Sequence, residues 1–331
     1  MKIYMWRPMS DPQFPWTGLL IGGTVVGIWY WCTDQYIVQR TLAANNIKIG
    51  RRGAIFGAYL KLLPILIFLV PGIIAFALSI QNPEVFSVDK ADRAFPMLVK
   101  TLLPVGLKGL VAGGLMAALM SSLASVFNSC STIFTIDIYK KLKPEKSEAS
   151  LLVTAKIATS FIVILGIIWI PIMEKIGGGV MYQYLQNVQS YIAPPVTVVF
   201  LLGIIWKRVN SKAAITTLMS GFLLLALRLG SEIYFQPQIA KNEVVSHVLY
   251  DFAIINFSHM AIFMFVFSVI LCVTISLLTT APDYKTIVGL SFGTLTENQK
   301  QAHSDSYDRI DVLLSVILVF LVVGILCYFT G

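Results

Sequence analysis

GLVAGGLMAALMSSLASVFNSCSTIFTI, residues 109–136, runs for 28 residues without an Asp, Glu, Lys or Arg. A helix of about 20 apolar residues crosses the ~30 Å hydrocarbon core of a bilayer, so this stretch is long enough to span one. Strands of a membrane barrel alternate apolar and polar residues. This run does not, and it reads as a helix. Working outward, the same charge-free character returns at 12–33, 62–83, 176–206, 252–282 and 312–331. Two shorter runs, 157–173 and 213–227, reach spanning length if Lys156, Lys212 and Arg228 snorkel to the headgroups. The expected fold class is therefore an all-α integral membrane protein with about eight transmembrane helices in the lipid bilayer.

Composition agrees. Of 331 residues, 56% are hydrophobic and 13% charged, against about 25% charged in an ordinary soluble domain. The net charge of +8 is not the footprint of a nucleic-acid binder, because the cations collect in alternate loops. Arg40, Lys48, Arg51 and Arg52 follow the first run; Lys140, Lys141, Lys143 and Lys146 the third; Lys207 and Arg208 the fifth; Lys285 and Lys300 the seventh. Such loops face the cytosol, which puts both termini outside. In the loop between the second and third runs, Glu84, Asp89 and Asp92 offset Lys90 and Arg93. Cys32, Cys130, Cys272 and Cys327 all lie in apolar runs and read as buried free thiols. Segment 1–15, with Pro8, Pro12 and Pro15, is too polar for a signal peptide. No Cys/His cluster, nucleophile–base pair or phosphate loop stands out, so neither an enzyme nor a bound cofactor is expected.

The spans are expected near 16–38, 54–80, 105–137, 151–173, 178–206, 213–235, 252–280 and 311–330. A polar outside loop, 81–104, and a charged cytosolic connection, 281–310, separate some of them. Gly18, Gly22, Gly23 and Gly27 let the first span unwind or pack closely. Pro64 and Pro71 predict kinks in the second. Pro194–Pro195, after Gly177–Gly178–Gly179, predicts an interruption of the fifth. Broken helices are how transporters expose backbone groups to ions and substrates, although transmembrane helices also tolerate Gly and Pro for ordinary reasons.

Four sets of residues carry chemistry. Lys61 lies about nine residues beyond Arg52, roughly 13 Å into its helix, where a lysine is costly unless it faces a polar cavity; the alternative is snorkelling. Gly114, Ala118, Ser121, Ser122, Ser125 and Ser129 share one helix face. Their hydroxyls suit a hard cation, or else bond back to their own helix in a small-residue packing seam. Trp29, Tyr30 and Trp31 offer faces for a sugar ring, or anchor at the membrane interface. Tyr182, Gln183, Gln186, Asn187 and Gln189 place amides in an uncharged run, and amides both donate and accept to hydroxyl-rich ligands.

WYWCTDQYIVQRTLAAN (29–45), GAYLKLLP (57–64), LMSSLASVFNSCSTIFTIDIYKK (119–141), YLQNVQSYIAPP (184–195) and FLLGIIWKRVN (200–210) closely resemble the sodium/glucose cotransporter branch of the sodium–solute symporters. The resemblance implies a LeuT-type fold of two inverted five-helix repeats with peripheral helices. It places residues 1–15 as an extracellular lead-in, 16–206 as the second repeat and 207–331 as three peripheral helices. The first repeat would then be a missing partner, and the chain a portion of a longer protein. By motif, Tyr30 resembles the inner-gate tyrosine that stacks on sugar, and Trp31 its neighbouring site tryptophan. Lys61 and Gln186 resemble sugar-hydroxyl contacts. Ala118 (through its carbonyl), Ser121 and Ser122 resemble half of the sodium site. There are departures. Gly27 stands where relatives carry a polar sugar contact, Gln189 where animal relatives often carry Thr, and Ala213–Ala214 where Gly-Ala is usual.

The implied function is sodium-coupled symport of a glucose- or galactose-like monosaccharide by alternating access in a cell membrane. Alternatives are a myo-inositol-type polyol transporter, a non-transporting sugar sensor on the same scaffold, and a truncated, inactive half-transporter.

Overall fold

The computed structural model describes residues 6–84, 86–88, 91–176, 181–241 and 243–328. The Gly177–Gly178–Gly179 run, Asp89 and Lys90 lie outside them. The helices are α1 (Gly18–Cys32), α2 (Gln35–Leu42), α3 (Ile47–Leu60), α4 (Val70–Gln81), α5 (Ala94–Leu102), α6 (Val105–Thr132), α7 (Glu148–Ile176), α8 (Met181–Ile205), α9 (Ser211–Ala240), α10 (Val248–Ile254), α11 (Phe257–Leu278), α12 (Glu297–Asp305) and α13 (Arg309–Tyr328). No strand occurs among the described residues, only an isolated bridge from Arg7 to Pro15. Among the described residues seven helical stretches are long and apolar enough to cross a membrane, and the shorter α1 is an eighth apolar segment. The chain divides into two compact units, residues 1–59 with 185–331 and residues 60–184.

In the first unit α8, α9 and α11 form the buried core. Tyr191, Met260 and Met264 pack together, as do Val198, Ala213 and Cys272. The expected break at Pro194–Pro195 does not occur: α8 is continuous through both prolines. Two prolines remove two backbone donors without ending the helix, because tight neighbours hold it. A side chain at Gly221 of α9 would collide with the Pro195 ring, so the glycine gives that ring its seat. Thr197 donates to Val25 O of α1 at 3.3 Å and to Ala193 O at 2.9 Å.

The first span also departs from its expected form. It stays helical but opens with a π-turn, Gly18–Gly22, and ends at Cys32 rather than near 38. Asp34 is the reason for the early end, since its carboxylate accepts from Tyr36 N and starts α2 as a new helix. The glycines serve close packing. A Cβ at Gly18 or Gly22 would overlap Ser258 of α11. The break appears instead in the seventh span, at Ile255–Asn256 between α10 and α11, where Asn256 caps α11 through Ser258 N.

Arg228 corrects another expectation. It does not snorkel; it is 3% exposed and paired with Glu232 Oε1 at 2.8 Å. Burying both ions together avoids the several kcal/mol that a lone buried charge costs.

Basic residues expected in cytosolic loops close helix ends here. Arg208 donates to the carbonyls of Ser276, Leu277 and Thr279 at the end of α11, satisfying groups a helix C-terminus leaves open. Lys48 and Arg52 pair with Asp308, and Arg52 with Asp311, at the start of α13. Arg51 donates to Ser306. Backbone binding by Ile310 and the neighbouring Lys48 hold the Asp308 carboxyl below its usual range. At the other end of α13, Trp6 donates to Leu326 O at 3.3 Å. The lead-in and the end of the last helix thus share one end of the unit.

The second unit holds α4–α7. Beside Pro64, whose ring clashes with the carbonyl four residues back, the helical ladder of the second span is interrupted, whereas the helix runs on through Pro71. The chain makes a turn at Lys61–Leu62, and a π-stretch, Ile65–Leu69, leads into α4. Part of the expected polar loop 81–104 is helix α5, which packs Leu98 with Phe86 against Ala75 of α4. Its apolar residues recur at helical spacing, a signal the loop's charges obscure. Helix α6 packs on α7 and continues through a π-stretch, Ile133–Tyr139, toward Leu142.

The four cysteines are thiols rather than disulfides. Cys272 is buried as expected, whereas Cys32 and Cys327 are exposed on outward helix faces.

Candidate substrate and cation site

The candidate residues fall into two groups, one in each unit. Tyr30 and Trp31 close the last turn of α1. Their rings meet edge to face, 5.9 Å apart at 86°, an arrangement favoured by the ring quadrupoles. Tyr30 is half-buried and Trp31 is exposed, with the tip of its indole beside Gly57 of α3. Thr33 fixes this end of α1 through its backbone N–H and hydroxyl, which both donate to Trp29 O.

Gln186 and Gln189 lie on one side of α8 and are half-buried. Gln186 borders a cavity of about 100 Å³ with Ser190 of α8, Gly22 and Gly23 of α1, and Ser258 of α11. That is well under the ~300 Å³ at which drug-sized ligand pockets begin, and it has room for a few waters. The α1 glycines and the α8 amide therefore meet in the first unit at a small gap that is otherwise lined mainly by apolar side chains, Leu19, Val26, Phe257 and Ala261. The cavity does not include Tyr30 or Trp31.

In the second unit, Lys61 sits exposed at the Pro64 turn. Ala118, Ser121 and Ser122 lie exposed on α6. The serine stripe divides along its length. Ser125 donates to Ser121 O at 3.0 Å and Ser129 to Ser125 O at 2.8 Å. The ordinary back-bonding reading therefore holds for the lower end, where Ser129 is buried. The upper end, Ala118 to Ser122, is the outward part.

Sequence reading did not single out the cluster of Tyr191, Arg228 and Glu232. The Tyr191 hydroxyl donates to Glu232 Oε1 at 2.7 Å. Arg228 Nη2 donates to Ile255 O at 2.8 Å, and its guanidinium lies over the rings of Tyr191 and Phe252. The available signal was an Arg and a Glu four residues apart inside an apolar helix, the spacing that places them on one face.

A chain of long apolar helices with glycine-packed and proline-bent segments, and with polar side chains in its interior, is a multi-pass membrane protein. Residues 3–221 match the model of the sodium:solute symporter family, and the chain belongs to that family. It is 38% identical over 299 residues to a Sus scrofa sodium/myo-inositol cotransporter 2, covering 86% of this chain and 44% of that protein. It is 37% identical over 308 residues to a Bos taurus sodium/mannose cotransporter (89% and 51%). To a Danio rerio sodium/glucose cotransporter 4 it is 35% identical over 303 residues (88% and 46%). The chain spans about half the length of the curated relatives it matches.

Proposed function

We propose that this chain supplies substrate- and sodium-facing helices of a symporter for a monosaccharide or a cyclic polyol, working by alternating access in a cell membrane. The family match over 3–221 carries the reading. The amide of Gln186, a hydrogen-bonding group at the otherwise mainly apolar gap between α8 and α1, supports it. In this reading Tyr30 stacks on the substrate ring with Trp31 beside it, and Lys61, Gln186 and Gln189 bond its hydroxyls. The Ala118 carbonyl and the Ser121 and Ser122 hydroxyls contribute to the sodium site. Residues 16–206 act as one five-helix repeat and 207–331 as the peripheral helices, with both termini outside. The names of the relatives include myo-inositol as well as hexoses, which keeps the polyol reading beside the sugar one.

The test is uptake of labelled glucose, galactose, mannose and myo-inositol by cells expressing this chain together with the first repeat that the reading requires, with and without a sodium gradient. Sodium-driven uptake of at least one is expected, and Lys61→Ala and Gln186→Ala should each lower apparent substrate affinity about tenfold, the scale of a hydrogen bond to a charged or buried partner. Uptake at unchanged affinity in both variants would overturn the site assignment.

A further inference from the structure

The Tyr191, Arg228 and Glu232 cluster belongs to none of the groups assigned to substrate or sodium, yet it is a buried, hydrogen-bonded ion pair inside the first unit. Tyr191 is 1% and Arg228 3% exposed. Glu232 Oε1 receives the Tyr191 hydroxyl at 2.7 Å and Arg228 Nε at 2.8 Å. Arg228 also reaches the open carbonyl of Ile255 at the break between α10 and α11. The next residue, Asn256, caps α11 and donates to Pro12 O and Gln13 O of the lead-in to α1. One ion pair thereby holds α8, α9 and the α10–α11 corner, and the corner holds the start of α1.

On α8, Tyr191 lies about 140° around the helix from Gln186 and about 200° from Gln189, at 100° per residue. It therefore grips the back of the helix whose front carries the amides. Tyr191 is ten residues from Met181 and fourteen from Ile205, so the grip falls near the middle of the span. A hydrogen bond to a carboxylate is directional and stronger than a neutral one. It fixes rotation about the helix axis, which apolar packing alone does not.

We propose that Arg228 and Glu232 are positioning residues for substrate binding: by holding the Tyr191 hydroxyl they set the rotation at which α8 presents Gln186 and Gln189. This rests on the assignment of those amides to substrate.

Tyr191→Phe removes one oxygen and keeps the ring. Uptake kinetics are measured per molecule of protein in the membrane, and hydrogen exchange is followed for the amides of 184–193 in nanodiscs. Tyr191→Phe should raise KM about tenfold with Vmax per molecule within about twofold, the scale of one charge-assisted hydrogen bond. It should also speed exchange of 184–193. Val198→Ala, two turns along the same face and fully buried, should lower thermal stability and leave KM unchanged. In a cycle with Gln186→Ala, the two KM effects should fall short of their product.

A Tyr191→Phe protein with unchanged KM and unchanged exchange would overturn the proposal. So would a loss of Vmax alone, or a KM shift equalled by Val198→Ala. If the wild type takes up no sugar or cyclitol, faster exchange in Tyr191→Phe keeps the positioning role and sinks the substrate assignment instead.

Discussion

Helices α6 and α8 look alike in composition and differ in how they pack. Their membrane-length stretches have nearly equal mean hydropathy, 1.9 for Val105–Leu142 and 1.8 for Met181–Ile205. Yet 39% of the apolar window of α8 is buried within the protein, against 0% for that of α6. Apolarity places a helix in the bilayer and says nothing about its neighbours, because lipid tails are as apolar as leucine. What buries α8 is specific: the Pro195 ring against Gly221, Thr197 against Val25 O, and Tyr191 against an ion pair. Beside Gly113 and Gly114 of α6 there is open space. The residues proposed for sodium lie on the second kind of surface, and the amides proposed for substrate on a helix of the first kind.

The largest expected effect comes from removing a charge on each side of this contrast. Arg228→Leu leaves the Glu232 carboxylate without its counter-ion and should cost about 3–5 kcal/mol. Fluorescence-detected size exclusion should then show little folded protein. Lys61→Ala, at an exposed position, should give near wild-type yield while impairing uptake. Equal losses of folded protein would abolish the distinction.

Glycine substitutions sharpen it at the next level. Gly221→Ala forces the Pro195 ring aside and should cost about 1–3 kcal/mol by overpacking, read as a drop in melting temperature. Gly113→Ala meets nothing within 4 Å and should be neutral or slightly stabilising, since alanine is the better helix former by up to about 1 kcal/mol. A smaller contrast lies within α6 itself. Ser129→Ala, at the buried end, should cost about 1 kcal/mol and leave sodium dependence alone. Ser122→Ala should leave the melting temperature alone and raise the sodium concentration for half-maximal uptake severalfold. Unchanged sodium dependence in Ser122→Ala would return the whole stripe to packing.

The smallest effect is electrostatic. The Asp308 carboxyl titrates below its usual value, so the stability it adds is present above that value, about pH 3.9, and is lost as pH falls further through its folded value. Thermal melts of wild type and Asp308→Asn should therefore differ at pH 6 and draw together as pH falls below the usual carboxylate value. The gap at pH 6 should shrink in high salt, because Asp308 and its partners are near the surface.

The positions of the helices were legible because charge-free runs of twenty residues have few other uses. The interruptions were less so. Pro194–Pro195 is a strong local signal against a helix, and tertiary packing overrode it through a glycine 26 positions later in the chain. Asp34 shortened the first span by an ordinary cap, a signal that was present and outweighed by the apolar letters around it. In the candidate site, the motif strings fixed which residues to consider. They did not reveal that Gln186 borders a cavity with α1 glycines, because that depends on how closely Gly22 approaches Ser258. Taken alone, Arg228 is a side chain that seeks water. Its meaning depends on Glu232, Tyr191 and a carbonyl at a break whose place the sequence did not mark.

The seat of Pro195 against Gly221 has a mechanical consequence. A ring lodged where only hydrogen fits is a peg in a socket. It resists axial sliding of α8 along α9, because a step of ~1.5 Å per residue would bring a larger side chain against the ring. It leaves rotation about the contact comparatively free. In the proposed symporter, any movement that opens one side and closes the other must then carry α8 and α9 together, or pivot them about this point, and a pivot near mid-membrane turns a small displacement at one face into an opposite displacement at the other.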